Sequence, residues 1–306
     1  MITFDKLILK STLDSITIFD PAKFMSRFKD DVQVSMKFKM KQPFYLDIEV
    51  NFVKDELIIE FTGKILGEKY PELISLNTIS GCFQRINALG FCEIDTEKMR
   101  SAEVMLCDVT KDLIIPDVPS LNKFIQGHIK NYQSYVCDWH QGNLIISKAV
   151  KNNRYQRRLT IYDKQKEMNR EQGQRYMDNY GIEGKYDGVC RFELNLVGQE
   201  AIRNALGISG TTLMEVLQAK HNPIEGFLND VIQDDTDANT QATWKTYWQT
   251  LVLEDCGYDL ARVEAKLREF KGGGIAKAIR PFRELMEAHS AGTSTWSKIK
   301  LLDVVR

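Results

Sequence analysis

The stretch RFELNL, residues 191–196, decides the fold. Apolar side chains at 192, 194 and 196 alternate with polar side chains at 191, 193 and 195, and successive side chains of a β-strand point to opposite faces of a sheet. The pattern predicts a strand with one buried face and one polar face. Glu193 lies on the polar face, where a carboxylate is suited to hold a divalent metal ion.

The stretch LTIYDKQKE, residues 159–167, precedes it and reads as an apolar strand that runs into a charged helix. Tyr162 and Lys164 are two residues apart, so we expect both side chains to project from one face. A tyrosine in a strand is most often a packing residue, but a phenol can also serve as a nucleophile when cationic neighbours favour its ionised form. Lys164 is the nearest such cation. Its alternative is the solvated start of the following helix.

An aspartate inside a third strand pattern joins these two motifs. In CDVTKD, residues 107–112, Asp108 shares one face with positions 110 and 112, and a buried strand rarely carries an aspartate without a partner. Asp108 and Glu193 together could bind Mg²⁺ or Mn²⁺, since both ions prefer oxygen ligands. The alternative is an ion pair between Asp108 and Arg191, and Asp112 is the weaker ligand candidate.

The periodicity along the chain predicts an α+β protein. An antiparallel-sheet domain is expected at residues 1–206 and an appended α-helical C-terminal region at 207–306, with the boundary near the glycines of 207–210. We predict strands over 15–19, 35–40, 44–53, 56–65, 103–113, 134–139, 143–147, 157–162 and at 191–196. We predict helices over 71–89, 120–130, 164–179, 199–206, 211–220, 223–232, 241–255, 259–270 and 275–289.

Composition excludes several classes of protein. The 306 residues are 43% hydrophobic and 27% charged, which is typical of a globular chain and not of a disordered or fibrous one. We find neither a signal peptide nor an apolar stretch long enough to span a membrane, and we therefore expect a cytoplasmic protein without a membrane partner. The six cysteines form no C-x-x-C pair, so we interpret them as reduced core residues.

Charge is distributed unevenly although the formal net charge is only −1. Residues 148–175 hold nine basic and three acidic side chains, a local charge of +6 around the tyrosine motif. Residues 262–306 hold ten basic and five acidic side chains. Either region could be a solvated face, and either could bind the phosphates of a nucleic acid.

The tyrosine motif, the R-x-E strand and Asp108 together resemble the rolling-circle replication initiators of filamentous phages and small plasmids. In that family a strand tyrosine in an I-Y-[DN]-K-x-x-E context nicks one DNA strand, and an R-[FIV]-E strand follows. The resemblance covers residues 100 to 200. It implies a Rep/relaxase-like nicking domain of antiparallel sheet, Tyr162 as the nucleophile, Asp108 and Glu193 as ligands of Mg²⁺ or Mn²⁺, and Lys164 as an electrostatic helper.

The same resemblance implies partners and a place in the cell. Single-stranded or hairpin DNA at a replication origin would be the substrate, with Arg157, Arg158, Lys148 and Lys166 on its phosphates and the helical C-terminal region choosing the origin. It also allows a host helicase as a partner, in the cytoplasm of a bacterial host. The oligomeric state is left open.

The chain departs from the family in its histidines. Many initiators bind metal through a His-hydrophobic-His pair, and no such pair occurs here; His140 lies beside a predicted turn and is either a lone ligand or a turn residue. Tyr176 and Tyr180, one helical turn apart, form a second candidate pair of nucleophiles.

Two rival functions remain: a conjugative relaxase of related chemistry, and an origin-binding protein without catalysis.

Overall fold

The computed structural model describes residues 2–115, 117–130, 135–140, 143–148, 157–233, 244–257, 259–270, 273–292 and 296–306. The chain forms two compact units. A sheet unit comprises residues 1–116, 134–227 and 305–306, and a helical unit comprises residues 117–133 and 228–304. The protein is thus α+β, with a large antiparallel sheet and several helices, as the sequence predicts.

Ten strands build one antiparallel sheet, in which β2 and β7 take no part. The strands in chain order are β1 (Thr3–Ser11), β2 (Ile16–Ile18), β3 (Met25–Lys29), β4 (Val32–Met40), β5 (Leu46–Asn51), β6 (Glu56–Thr62), β7 (Cys92–Ile94), β8 (Glu103–Ile114), β9 (Tyr135–His140), β10 (Asn143–Lys148), β11 (Arg157–Asp163) and β12 (Val189–Val197). Their spatial order is β3-β4-β5-β6-β1-β8-β12-β11-β10-β9, and β2 pairs with β7 in a small separate sheet.

One topology occurs twice in the large sheet. In the first half of the sheet, β1 is the innermost strand, β6 pairs with it, and β5, β4 and β3 follow outwards. In the second half, β8 is innermost, β12 pairs with it, and β11, β10 and β9 follow outwards in the same way. The innermost strands β1 and β8 pair antiparallel to each other. The two halves therefore relate as an approximate duplication about the β1–β8 pair.

The register assigns the side chains of the central strands to two faces, because residues directly opposite each other in a ladder point to the same side. Asp108 pairs with Lys6 on one side and with Asn195 on the other, and Arg191 pairs with Tyr162. We call the side that carries these residues the polar face. The opposite face is apolar and buried, and it includes Leu7, Cys107, Leu194 and Ile161, each fully buried.

Helices cover the apolar face and complete the second unit. Phe83 of α1 packs edge-on against Phe61 of β6, and α6 packs beside β8 and β12. The helices are α1 (Ile79–Asn87), α2 (Thr96–Met99), α3 (Val118–Gly127), α4 (Lys164–Met168), α5 (Glu171–Tyr180), α6 (Gln199–Leu206), α7 (Leu213–Leu217), α8 (Pro223–Val231), α9 (Trp244–Asp255), α10 (Leu260–Phe270), α11 (Ile275–Gly292) and α12 (Lys298–Val305). Within the described part of the chain, no helix has the length and apolar character needed to cross a bilayer.

Two helix predictions were wrong, and some elements were not predicted at all. Strand β1, at the centre of the sheet, was missed, as were β3, β7 and α2. The helix predicted at 71–89 is only α1. Pro71 lies inside a 3₁₀ segment, Gly63–Glu72, and Ile74 exchanges backbone hydrogen bonds of 2.8 and 2.9 Å with Phe4. The helix predicted at 164–179 is two helices, α4 and α5, which meet so closely that a Cβ on Gly173 would lie 2.3 Å from the carbonyl oxygen of Met168.

Candidate active site

Tyr162 lies at the end of β11 on the polar face, next to the carboxylate of β12. Its hydroxyl donates a hydrogen bond of 3.2 Å to Oε2 of Glu193. The tyrosine side chain is 9% exposed, and it lines an open pocket. The expected pairing of the nucleophile candidate with the carboxylate on one face of the sheet is thus present.

Two further carboxylates lie near Glu193 on the polar face. Asp108 accepts a hydrogen bond of 2.5 Å from Nδ2 of Asn195. Asp5 sits in a β-bulge, because the neighbouring pairs Phe4–Val109 and Lys6–Asp108 leave it without a partner in β8. Bulges redirect side chains, and this one brings Asp5 into the pocket that Tyr162 lines. The carboxylates of Asp5, Asp108 and Glu193 come from β1, β8 and β12, which are neighbours in the sheet.

The proton affinities of this cluster are shifted by burial and by the neighbouring charges. Burial, with Asp5 and Asp108 nearby, raises the pKa of Glu193 to about 7. Burial also raises the pKa of Asp108, and burial with the Glu193 carboxylate raises the pKa of Tyr162 well above its ordinary value. Burial alone would raise the pKa of Asp5, but the Arg191 guanidinium and the Lys164 ammonium hold it below its ordinary value. The resting tyrosine is therefore a protonated phenol beside a carboxylate that can accept its proton near neutral pH.

Arg191 binds several polar groups next to the carboxylate cluster. Its side chain is fully buried, and its guanidinium donates to both oxygens of Asp112, at 2.6 and 2.7 Å. It also donates to the hydroxyl of Tyr70 at 2.9 Å and lies 3.2 Å from Oδ1 of Asp5. The partner of Arg191 is thus Asp112 and not Asp108, which leaves Asp108 free of the ion pair that was the alternative to metal binding.

Lys164 is buried and not solvated, with a side chain 2% exposed. Its ammonium donates to the Tyr70 hydroxyl at 2.9 Å, forms a short ion pair with Glu167, and lies 5.8 Å from the centre of the Tyr162 ring. Burial and the Arg191 charge lower the pKa of Lys164. Strand β11 ends at Asp163 and Lys164 opens α4, so the ammonium comes close to the tyrosine through the start of the helix and not through the strand spacing on which the expectation rested.

The predicted DNA contacts divide between the two faces. Arg158 pairs with Asn195 and so shares the polar face with Tyr162, whereas Arg157 pairs with Leu196 on the opposite face. Lys166 is exposed on α4, one turn from the pocket. Lys148 ends β10, and its side chain lies outside the described residues.

The second pair of tyrosines has a packing role. The hydroxyl of Tyr176 donates to the carbonyl oxygens of Lys64 at 2.6 Å and Gly67 at 3.2 Å, and its ring packs against Tyr70 and Tyr180. Burial raises the pKa of Tyr176 above its ordinary range. His140 ends β9, paired with Asn143, and its side chain is outside the described residues.

The carboxylates of this cluster are the candidate ligands for the predicted metal ion. Among the described residues, no group of three or more His, Cys, Asp or Glu side chains is arranged to hold a metal ion. The donor chemistry nevertheless suits a hard divalent cation, since Asp5, Asp108 and Glu193 offer only oxygen and Oδ1 of Asp5 is buried without accepting a hydrogen bond. These residues fit the predicted ion by ligand type.

Sequence reasoning missed Asp5 and Tyr70. Asp5 was overlooked because strand β1 was not recognised, although an aspartate between Phe4 and Leu7 in an apolar run is the same signal that singled out Asp108. Tyr70 carried no signal, since it is in a 3₁₀ segment whose position depends on tertiary contacts.

Comparison with known protein families, curated proteins and solved structures found no match for this chain.

Proposed function

We propose that the protein is a metal-dependent DNA endonuclease that nicks and religates one strand through a covalent tyrosine intermediate and thereby initiates rolling-circle replication. The observation that carries the proposal is the hydrogen bond from the Tyr162 hydroxyl to Glu193, made by a tyrosine that lines an open pocket. Burial, with Asp5 and Asp108 nearby, raises the pKa of that carboxyl to about 7, a kind of shift that is common in active sites and supports the proposal.

The chemistry is a transesterification. The phenolic oxygen of Tyr162 attacks the phosphorus of a backbone phosphodiester, the new O–P bond forms, and the bond from phosphorus to the departing sugar oxygen breaks. The phenolic proton passes to Glu193, and the departing sugar oxygen takes up a proton to become a free hydroxyl. Religation is the reverse, so the bond energy is conserved and no nucleotide cofactor is required.

Cations of the chain would stabilise the charge that develops on the phosphate. Lys164 lies closest, and its position over the Tyr162 ring also favours the phenolate. Asp108 and Glu193, joined by Asp5, would hold Mg²⁺ or Mn²⁺, which when bound would polarise the phosphate oxygens. Arg158 and Lys166 would contact flanking phosphates, and we keep Lys148 and Arg157 as weaker candidates for such contacts.

The remaining parts of the proposal follow from the family resemblance. The substrate would be single-stranded or hairpin DNA at an origin in the cytoplasm of a bacterial host, and a host helicase would be a partner. The basic helical C-terminal region would choose the origin. A conjugative relaxase of related chemistry would need a transfer origin, and a non-catalytic origin-binding protein would form no covalent link.

Covalent capture tests the proposal. Full-length protein is incubated with Mg²⁺ and labelled single-stranded oligonucleotides of random sequence, and the labelled adduct is measured on a denaturing gel. We expect Tyr162→Phe to lower the adduct yield by at least about 1,000-fold, because the attacking hydroxyl is lost. Tyr176→Phe is the matched control and should retain the yield of the wild type. Equal adduct from Tyr162→Phe and wild type would refute the assignment.

A further inference from the structure

The pocket beside Tyr162 offers more polar groups than the transfer of a phosphate requires. It measures about 550 Å³, which is within the size range of small-ligand sites. One wall is the exposed side of α5, where Gln172, Arg175 and Asn179 are spaced three and four residues apart and so lie on one face. The facing wall is the loop of residues 41–45 between β4 and β5.

Several polar groups in this pocket have no partner within the protein. Among the described residues, the side-chain amides of Gln42, Gln172 and Asn179 make neither a hydrogen bond nor an ion pair. Deeper in the pocket, Oγ1 of Thr62 is buried and makes no hydrogen bond, whereas Oδ1 of Asp5 lies 3.2 Å from the Arg191 guanidinium. A buried polar atom without a partner costs about 1–3 kcal/mol, so a ligand that supplied complementary donors and acceptors would be favoured.

The charges of the pocket suit a phosphate. Lys41, Lys64, Lys164 and Arg175 line it, against the carboxylates of Asp5 and Glu167. Lys41 is exposed on the loop and, within the described part of the chain, has no ion-pair partner. Among the residues that the structure describes, Arg175 forms an ion pair only with the exposed Glu171 on its own helix. The rim can therefore bind an anion without breaking a buried contact.

We propose that this pocket is a subsite for one unpaired nucleotide next to the phosphate that Tyr162 attacks, an inference that rests on the proposed function. The amides of Gln42, Gln172 and Asn179 read the edge of the base, and Lys41 and Arg175 hold its phosphate. The base is unpaired because a cavity of about 550 Å³ has the size of a small-ligand site, which suits one base and not a base pair stacked within a duplex. The sheet unit thus has a base preference of its own, independent of the helical C-terminal region.

Binding of short single strands tests the subsite without relying on catalysis. The full chain carrying Tyr162→Phe is titrated with labelled homopolymers of dA, dC, dG and dT and with an abasic strand of equal length, by fluorescence anisotropy. We expect one homopolymer to bind about tenfold more tightly than the abasic strand, as a small number of hydrogen bonds would provide. Adding Gln172→Ala and Asn179→Ala should reduce that ratio to within about twofold while binding of the abasic strand is unchanged.

Matched variants separate base reading from general effects. Gln174→Ala changes the same residue type on the same helix outside the pocket and should keep the full base preference. Lys41→Ala should weaken all strands alike, the abasic one included, and lower the slope of log affinity against log salt by about one, whereas Lys54→Ala in a distant turn should not.

Failure of the subsite differs from failure of the proposed function. Equal binding of all homopolymers and the abasic strand, or a base preference that survives the double variant, would overturn the subsite. If that occurred while wild type still formed the Tyr162 adduct, the nicking proposal would stand. If wild type formed no adduct but kept the base preference and its dependence on Gln172 and Asn179, the nicking proposal would be overturned. The pocket would then be a binding site for single-stranded DNA.

Discussion

The two halves of the sheet share one topology but treat their charges in opposite ways. In the first half, the carboxylates of β5 and β6 on the polar face each have a lysine: Lys6 pairs with Glu60 at 2.5 Å, Lys10 with Glu56 at 2.6 Å, and Lys37 with both Asp47 and Glu49 at 3.1 and 3.3 Å. Asp5 of β1 is the exception, since it pairs with Arg191. In the second half, Asp108 and Glu193 have no ion-pair partner among the described residues, and the pKa values of both are raised.

This difference shows how one scaffold provides both a structural surface and a reactive one. Paired charges neutralise each other, so a sheet face of this kind is inert and solvated. Carboxylates without cations keep an affinity for protons or for a metal ion, and a tyrosine placed beside one of them gains a proton acceptor. If the two halves arose by duplication, the second became reactive through the placement of its charges, without a change of fold.

The largest effect should come from the carboxylate beside the nucleophile. Glu193→Gln keeps the shape but removes the proton acceptor and a metal ligand, and we expect adduct formation to fall by about 100- to 10,000-fold. Excess chelator should have a comparable effect on wild type. Glu49→Gln, in the first half, is the control and should change the yield less than about twofold. Similar losses from the two variants would erase the contrast between the halves.

A smaller effect, on stability, should follow from removing the buried guanidinium. Arg191→Leu leaves the partly buried carboxylates of Asp5 and Asp112 without their cation, and we expect the free energy of unfolding to fall by about 3 kcal/mol. Lys37→Leu removes a cation from the exposed ladder of the first half and should cost less than about 1 kcal/mol. Denaturant titration of both variants measures the difference. A cost for Arg191→Leu as low as that for Lys37→Leu would contradict the proposed anchoring role.

The smallest effect concerns pH. The pKa of Glu193 is about 7 in the folded protein and 4.5 in its ordinary state, so the folded protein binds this proton more tightly than the unfolded chain. Its contribution to stability is present in full below pH 4.5 and is lost as the pH rises to 7, by at most about 3 kcal/mol. Denaturation in chelator across this window should show a steeper decline for wild type than for Glu193→Gln. Parallel declines would show that Glu193 does not titrate there.

The sequence predicted the second half of the sheet better than the first, for physical reasons. Strand β12 alternates between apolar and polar side chains from Arg191 to Leu196, and β8 does so from Cys107 to Thr110 after an apolar run at 104–107, so the faces of both strands could be predicted. Helix α6 was predicted at its observed bounds. In strand β1 the charged residues Asp5 and Lys6 are adjacent in the sequence, and a β-bulge occurs at Asp5. A bulge breaks the period of two from which a strand is predicted.

The candidate site was predictable only where its residues lie on regular strands. Tyr162, Asp108 and Glu193 follow from alternation, and their faces agree with it. Tyr70 and the pocket wall on α5 depend on how a 3₁₀ segment and a short helix pack onto the sheet, which local sequence does not encode. Long-range packing also decided that Arg191 pairs with Asp112, which lies directly opposite it in β8.

The guanidinium of Arg191 has a bearing on how such a protein can be divided or recombined. Its partners Asp5 and Tyr70 come from the segment that carries the first half of the sheet, while Asp112 belongs to the second. A fragment with only the second half would contain the tyrosine motif intact, yet it would lack Asp5 and Tyr70 beside the buried charge. The tyrosine motif therefore cannot be transferred to another protein by itself. A recombinant chain must contain both halves of the sheet, and exchange of segments between related proteins should keep the two halves together.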